Sequence, residues 1–300
     1  MRLLVSAACL LIIVCGAAAH QRPSQRATTP AGARTITIAT EPKAIIWIDE
    51  VRRGSTNDSG ALNALKLSAG VHTLRVRAAG FKEVSLPISA TQRGQIPVRL
   101  VRTTDQAELL FQKAEDTRES AKDDASRQSA ADLYRQALRF RPVYPAAHVG
   151  LARVLSDLND TSGALAEIEA ARGARPIYPE ASAVEGRIYR ETGQTDEAIG
   201  AFNRAIREAR GFQPEAHVGI GRLYEDKGQY ELAAREFKIA VDQLSDTEPI
   251  IYQLLGAAYE KIGKNQEAIA AYENYLHLAP NGSMAQAMRS IVEQLKSQQP

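Results

Sequence analysis

Between Pro145 and Pro280, small and large apolar positions return every 34 or 35 residues. The run Ala147-His148-Val149-Gly150-Leu151-Ala152-Arg153 is matched two periods later by Ala216-His217-Val218-Gly219-Ile220-Gly221-Arg222. Four copies align in columns. Small residues stand at Ala152, Gly186, Gly221 and Gly256, followed three positions on by Leu155, Tyr189, Tyr224 and Tyr259. A second small column reads Ala164, Ala198, Ala233 and Ala268, with Ile168, Phe202, Phe237 and Tyr272 four positions later. Ala171, Ala205 and Ala240 come next, and Tyr275 breaks that column. Steps of three and four place each column on one helical face, and small residues let neighbouring helices approach closely. Each copy is therefore expected to be a helical hairpin, stacked on the next.

Upstream, from Thr35, the period falls to two. Ile36 and Ile38, Ala44, Ile46 and Ile48, Leu74 and Val76, Val84, Leu86 and Ile88, and Ile96, Val98 and Leu100 alternate with polar neighbours. Such alternation predicts half-buried antiparallel strands. Turn signals separate them at Arg53-Gly54, Ser59-Gly60, Ala69-Gly70, Ala79-Gly80 and Arg93-Gly94. Pro87 and Pro97 each remove a ladder donor, which points to edge strands or bulges.

The small, aromatic and proline columns, with Pro176 and Pro280 closing two copies, resemble the tetratricopeptide repeat over residues 105–297. That range holds four clear repeats and a divergent first one with Ala130, Tyr134, Ala137 and Pro142. The polar run 119–127 reads as an enlarged loop. The segment 283–297, with Met284, Met288, Ile291 and Leu295 at helical spacing, reads as a terminal cap with a wet outer face. Glu185, Arg210, Ser245 and Tyr275 depart from the family's columns. In residues 35–103, Glu41-Pro42-Lys43-Ala44, Ile48-Asp49, Gly70-Val71-His72, Gly80-Phe81 and Ile96-Pro97-Val98-Arg99-Leu100 resemble a PEGA domain. It departs at Glu50, where a turn glycine is usual. The two resemblances imply a multidomain β + α fold: a small Ig-like β-sandwich, then an all-α superhelix. The PEGA resemblance implies an extracytoplasmic accessory module.

The first residues bear on location. Arg2, the apolar run Leu3 to Val14 and the small residues Ala17 to Ala19 read as a secretory signal over 1–19, cleaved before His20. Residues 20–34, rich in Pro, Ser, Thr, Arg and Ala, read as a disordered tether. The protein is thus expected to be exported, periplasmic or associated with the cell envelope, with no transmembrane segment in the mature chain. Both cysteines, Cys9 and Cys15, fall inside the leader, which removes disulfide and thiolate chemistry from the remainder. Residues 1–103 carry 14 Lys/Arg against 5 Asp/Glu, and residues 104–300 carry 23 against 30, so the ends are oppositely charged, +9 and −7.

No phosphate loop, nucleophile elbow or paired histidine-glutamate motif is present. His148 and His217 share one repeat column, which reads as packing. No catalytic, cofactor or metal residue is assigned, and no nucleic-acid partner is expected. In tetratricopeptide arrays the first helix of each pair lines a concave surface. The residue after the first small column is Arg153, Arg187 and Arg222 in successive copies, with Arg190 nearby. Guanidinium forks suit carboxylates, so these residues are candidates for a protein or peptide partner that is acidic or offers a terminal carboxylate. Asp157, Glu191 and Asp226, each four residues later, compete for the same charge. Trp47, on the opposite strand face from Ile46 and Ile48, either meets a ligand or covers the neighbouring domain. The reading is a non-enzymatic adaptor or scaffold, its array holding a partner and its β-domain touching an envelope component. The alternative is a carbohydrate or cell-wall binding module that uses Trp47, with the array as spacer.

Overall fold

A computed structural model describes residues 34–67, 70–244 and 248–298. The leader and nearly all of the tether lie outside these residues. Arg34, assigned to the tether, instead opens the first strand, where its guanidinium donates to the carbonyls of Gly70 (2.8 Å) and Ser89 (3.1 Å).

Seven strands follow the alternating pattern: β1 (Arg34–Ala39), β2 (Ile45–Ile48), β3 (Val51–Ser55), β4 (Ala61–Leu67), β5 (His72–Arg77), β6 (Val84–Ile88) and β7 (Gly94–Pro97). They form a three-stranded sheet, β4-β1-β7, and a four-stranded sheet, β3-β2-β5-β6. Ile36, Ile38 and Leu67 from the first share one core with Ile46, Leu74 and Val76 from the second. Pro87 and Pro97 sit in the edge strands β6 and β7, where a missing N–H costs no ladder bond. The all-antiparallel expectation fails at one pair: β7 runs parallel to β1, Ile36 opposite Gly94. β7 reaches this sheet by crossing from β6 in the other, so no hairpin fixes its direction.

The β2–β3 hairpin turns on Asp49 and Glu50, both at positive φ (52° and 65°). Such two-residue turns favour Asn-Gly or Asp-Gly because L side chains resist this region. Asp49 offsets the strain by accepting from the Thr73 amide (2.8 Å) and contacting His72 Nδ1 (2.5 Å), and Glu50 pairs with Arg75 (2.8 Å).

The helices are α1 (Gln106–Ser120), α2 (Asp124–Phe140), α3 (Pro145–Asp157), α4 (Thr161–Ala174), α5 (Pro179–Glu191), α6 (Thr195–Glu208), α7 (Pro214–Asp226), α8 (Tyr230–Leu244), α9 (Pro249–Lys261), α10 (Asn265–Leu278) and α11 (Ala285–Ser297). The enlarged loop expected at 119–127 shrinks to 121–123, because Asp123 and Ser126 form a capping box that starts α2 early. α3, α5, α7 and α9 each begin with proline, which suits a first turn whose N–H needs no partner.

Each large ring of a second helix lies against glycine. A Cβ built on Gly186 would stand 2.6 Å from Phe202, and one on Gly219 of the next pair 2.3 Å from the same ring. Gly221 and Phe237, and Gly256 and Tyr272, repeat the contact. α11 caps the last pair, and its buried residues are Ala285, Met288, Val292 and Leu295. Of the face expected, Met288 and Leu295 are buried and Ile291 packs partly buried beside them, while Met284, at the N-cap, is exposed. First helices also pack on one another, α3 on α5 and α5 on α7, which places them on the inner, concave side.

Candidate binding groove

The three arginines of the repeat column lie on α3, α5 and α7. Their surroundings differ. Arg153 Nη2 is 3.3 Å from Glu180 Oε1 and 3.5 Å from Glu215 Oε2, so its partners come from the next two first helices. Burial works against its charge, but Glu215 and Glu180 more than offset this, and the guanidinium holds its proton above the ordinary arginine value. Arg187 spans 3.6 Å to Asp157 of the preceding repeat and 3.8 Å to Glu191 of its own. Arg190 reaches Glu191 only at 3.9 Å. Arg222, half-buried, makes no ion pair or hydrogen bond among the described residues. Two of the three rungs are thus internally matched, and Arg222 is the unmatched one.

Glu180 and Glu215 were not anticipated as partners. Their signal was the dipeptide Pro-Glu returning at 179–180 and 214–215, which sets a carboxylate in the first turn of each first helix.

The outer face of the four-stranded sheet is turned toward this concave surface. Trp47, directed away from the strand core, is nevertheless only 7% exposed. The guanidiniums of Arg75 and Arg77 lie 4.3 and 5.1 Å from its ring, and Arg77 also stands 4.8 Å from the Phe111 ring of α1. Of the two roles read for Trp47, the geometry is that of covering the neighbouring domain. Its ring is not offered to a sugar in this arrangement.

Arg77 ties the domains together. Its Nε donates to Glu83 (2.7 Å) and its Nη1 to Glu115 of α1 (3.3 Å). Burial raises the Glu115 carboxyl, but Arg118 and Arg77, with the donated Tyr134 hydroxyl, outweigh it and hold Glu115 below the ordinary carboxylate range. Arg52 meets Glu119 at 2.6 Å, and Gln112 of α1 accepts from the Gly80 amide while donating to the Phe81 carbonyl. At the far end, Arg53 donates to the Leu244 carbonyl (3.1 Å) and Val51 joins the apolar cluster of α8 and α9 with Leu244, Ile251 and Leu254. Between these ends an open cavity of about 1110 Å³ is lined by Trp47, Arg118, Arg153, Tyr178, Phe212 and Arg222 among others.

His148 and His217 occupy equivalent places, each with Nδ1 against a second-helix carboxylate, Glu167 (2.6 Å) and Glu236 (2.7 Å). This agrees with the packing role read from their shared column. Among the described residues no helix is long and apolar enough to cross a membrane.

Comparison with known proteins bears on the array. The sequence model of the tetratricopeptide repeat matches four overlapping stretches, 119–179, 149–214, 184–249 and 218–283. No curated protein matches the chain. Among solved structures, the thermophilic TPR protein TTC0263 of Thermus thermophilus is similar at 22% identity and a TM-score of 0.51, covering 64% of this chain and 99% of its own. PilW, a widely conserved type IV pilus biogenesis factor, shares 15% identity with a TM-score of 0.52, over 65% of this chain and 93% of its own. Pseudomonas aeruginosa PilF shares 15% identity with a TM-score of 0.51, over 64% and 90%. At such identities the likeness is one of fold. With the repeat matched across more than half of its length, its columns seated as stacked helical pairs and its first helices lining a concave face, the chain belongs to the tetratricopeptide repeat family.

Proposed function

We propose that this protein is a non-enzymatic, exported adaptor whose concave groove holds an acidic peptide segment or chain-terminal carboxylate of a protein partner. The observation that carries this reading is Arg222, a half-buried guanidinium facing the groove with no ion pair among the described residues, next to two arginines that are only intramolecularly matched. An anion there gains a fork-shaped donor without displacing an existing partner. The β-domain, read as a PEGA-like, Ig-like module, contacts an envelope component. The leader pattern at 1–19 supports export.

The test is cross-linking in cells followed by mass spectrometry, then titration of the captured partner against the protein carrying Arg153→Gln, Arg187→Gln and Arg222→Gln. The expected outcome is weaker binding, with most of the loss from Arg222→Gln alone, and affinity in the unsubstituted protein that falls as salt rises. Unchanged affinity in a triple variant of native helicity would place the partner elsewhere.

A further inference from the structure

The β-domain does not merely adjoin the array. It reaches α1 through Arg52 and Arg77, and reaches α8 and α9 through Arg53 and Val51, so it spans the concave face from one end to the other. The reaching element is the β2–β3 hairpin, whose tip holds two non-glycine residues at positive φ. Backbone strain of this kind persists only where surrounding contacts over-determine it, and it tends to mark sites of function.

Val51 adds a second, independent sign. It is 8% exposed, yet it belongs to no cluster of its own domain; the apolar residues around it are those of α8 and α9. Charge agrees. The N-terminal part is basic and the array acidic, and the links are arginines of the sheet meeting Glu115, Glu119 and the carbonyl at the C-terminus of α8.

From these contacts we infer that the chain's own β2–β3 hairpin lies across the groove, leaving only the cavity beside Arg222, and that a protein partner enters by displacing it. The same displacement uncovers Trp47, Arg75 and Arg77 on the outer face of the sheet. The groove and that aromatic, basic face therefore cannot both stay covered once a ligand takes either one. Whatever binds the groove raises the affinity of the sheet face for its own ligand, and by linkage the reverse holds to the same degree. This rests on the groove being the binding face, but the closure is measurable with no ligand present.

Trp47 is the chain's single tryptophan, so its emission has one source, on the face that the closure covers. Acrylamide quenching and small-angle scattering are to be compared for the full chain and for Val51→Asp, which puts a charge in the apolar seat without touching the strand core. The expected result is a shielded, compact original and a Val51→Asp variant with several-fold stronger quenching, red-shifted emission and a longer particle at unchanged far-ultraviolet dichroism. If Val51→Asp lowers the dichroism, the second pair of variants decides. Arg52→Glu should open the protein, and Arg52→Glu combined with Glu119→Arg should close it again. A freely quenched, extended original, or native variants indistinguishable from it, would overturn the closure. That result would leave the groove reading standing, whereas an opened variant that binds no better to the captured partner would overturn the groove reading and leave the closure standing.

Discussion

His148 has both ring nitrogens against acceptors, Nδ1 at 2.6 Å from Glu167 and Nε2 at 3.0 Å from the Pro142 carbonyl. Only the imidazolium satisfies both. The hydrogen bond donated to Glu167 raises its pKa most, burial opposes it, and the bond to the Pro142 carbonyl adds to it. Because the folded value is raised, the stabilisation is fully present below the unfolded value of about 6.5 and fades as pH climbs through the folded one. His148→Asn should therefore lose up to about 1 kcal/mol in urea unfolding at acid pH and almost nothing at alkaline pH, the ceiling set by partial exposure. Arg77 makes a larger difference at any pH. Arg77→Met strands Glu83 and part of the Glu115 network, an expected loss of about 3 kcal/mol, read from denaturation followed at Trp47. Lys at this position should recover only a fraction, since an ammonium lacks the fork and the flat face.

The glycine columns govern how the elements meet. A Cβ on Gly221 falls 2.5 Å from Phe237, so Gly221→Leu should cost ~1 to 3 kcal/mol of overpacking, measured as a lower thermal midpoint. Pairing it with Phe237→Ala should recover part of that loss, the coupling expected of residues in contact. These columns were legible in the sequence because spacing alone assigns small and large residues to one helical face. Strand alternation was legible for the same reason, and so were the edge positions of Pro87 and Pro97. The direction of β7 was not, since period-two patterning is identical for parallel and antiparallel neighbours. The short loop before α2 was missed because Asp123 and Ser126 read as polar loop until their reciprocal cap is seen. The site was legible as a column of arginines and obscure in its partners. Spacing within one helix pointed to Asp157, Glu191 and Asp226; Glu191 does lie 3.8 Å from Arg187, whereas stacking hands Arg153 to Glu180 and Glu215 and gives Asp157 to Arg187.

At the scale of the whole molecule, α11 shields the last pair, with Met288, Val292 and Leu295 against the Tyr272 and Tyr275 cluster. Removing 283–300 should leave that face bare, lowering the thermal midpoint and promoting self-association detectable by light scattering. The opposed charges of the two parts add a salt dependence, with high ionic strength weakening the Arg52–Glu119 link first because it is the more exposed. One feature of the sheets also fixes an order in time. The parallel pairing of β1 with β7 joins the two ends of the β-domain, a distant contact whose loop must close before it is rewarded, whereas each helical hairpin forms from neighbours in sequence. On refolding, helical dichroism should return before Trp47 becomes shielded, an order that would leave the groove open for an interval. A partner present in that interval meets no hairpin to displace. Its capture is then governed by a race between association and the closing of the β-domain, and slowing β1–β7 pairing should raise the fraction of chains that acquire the partner as they fold.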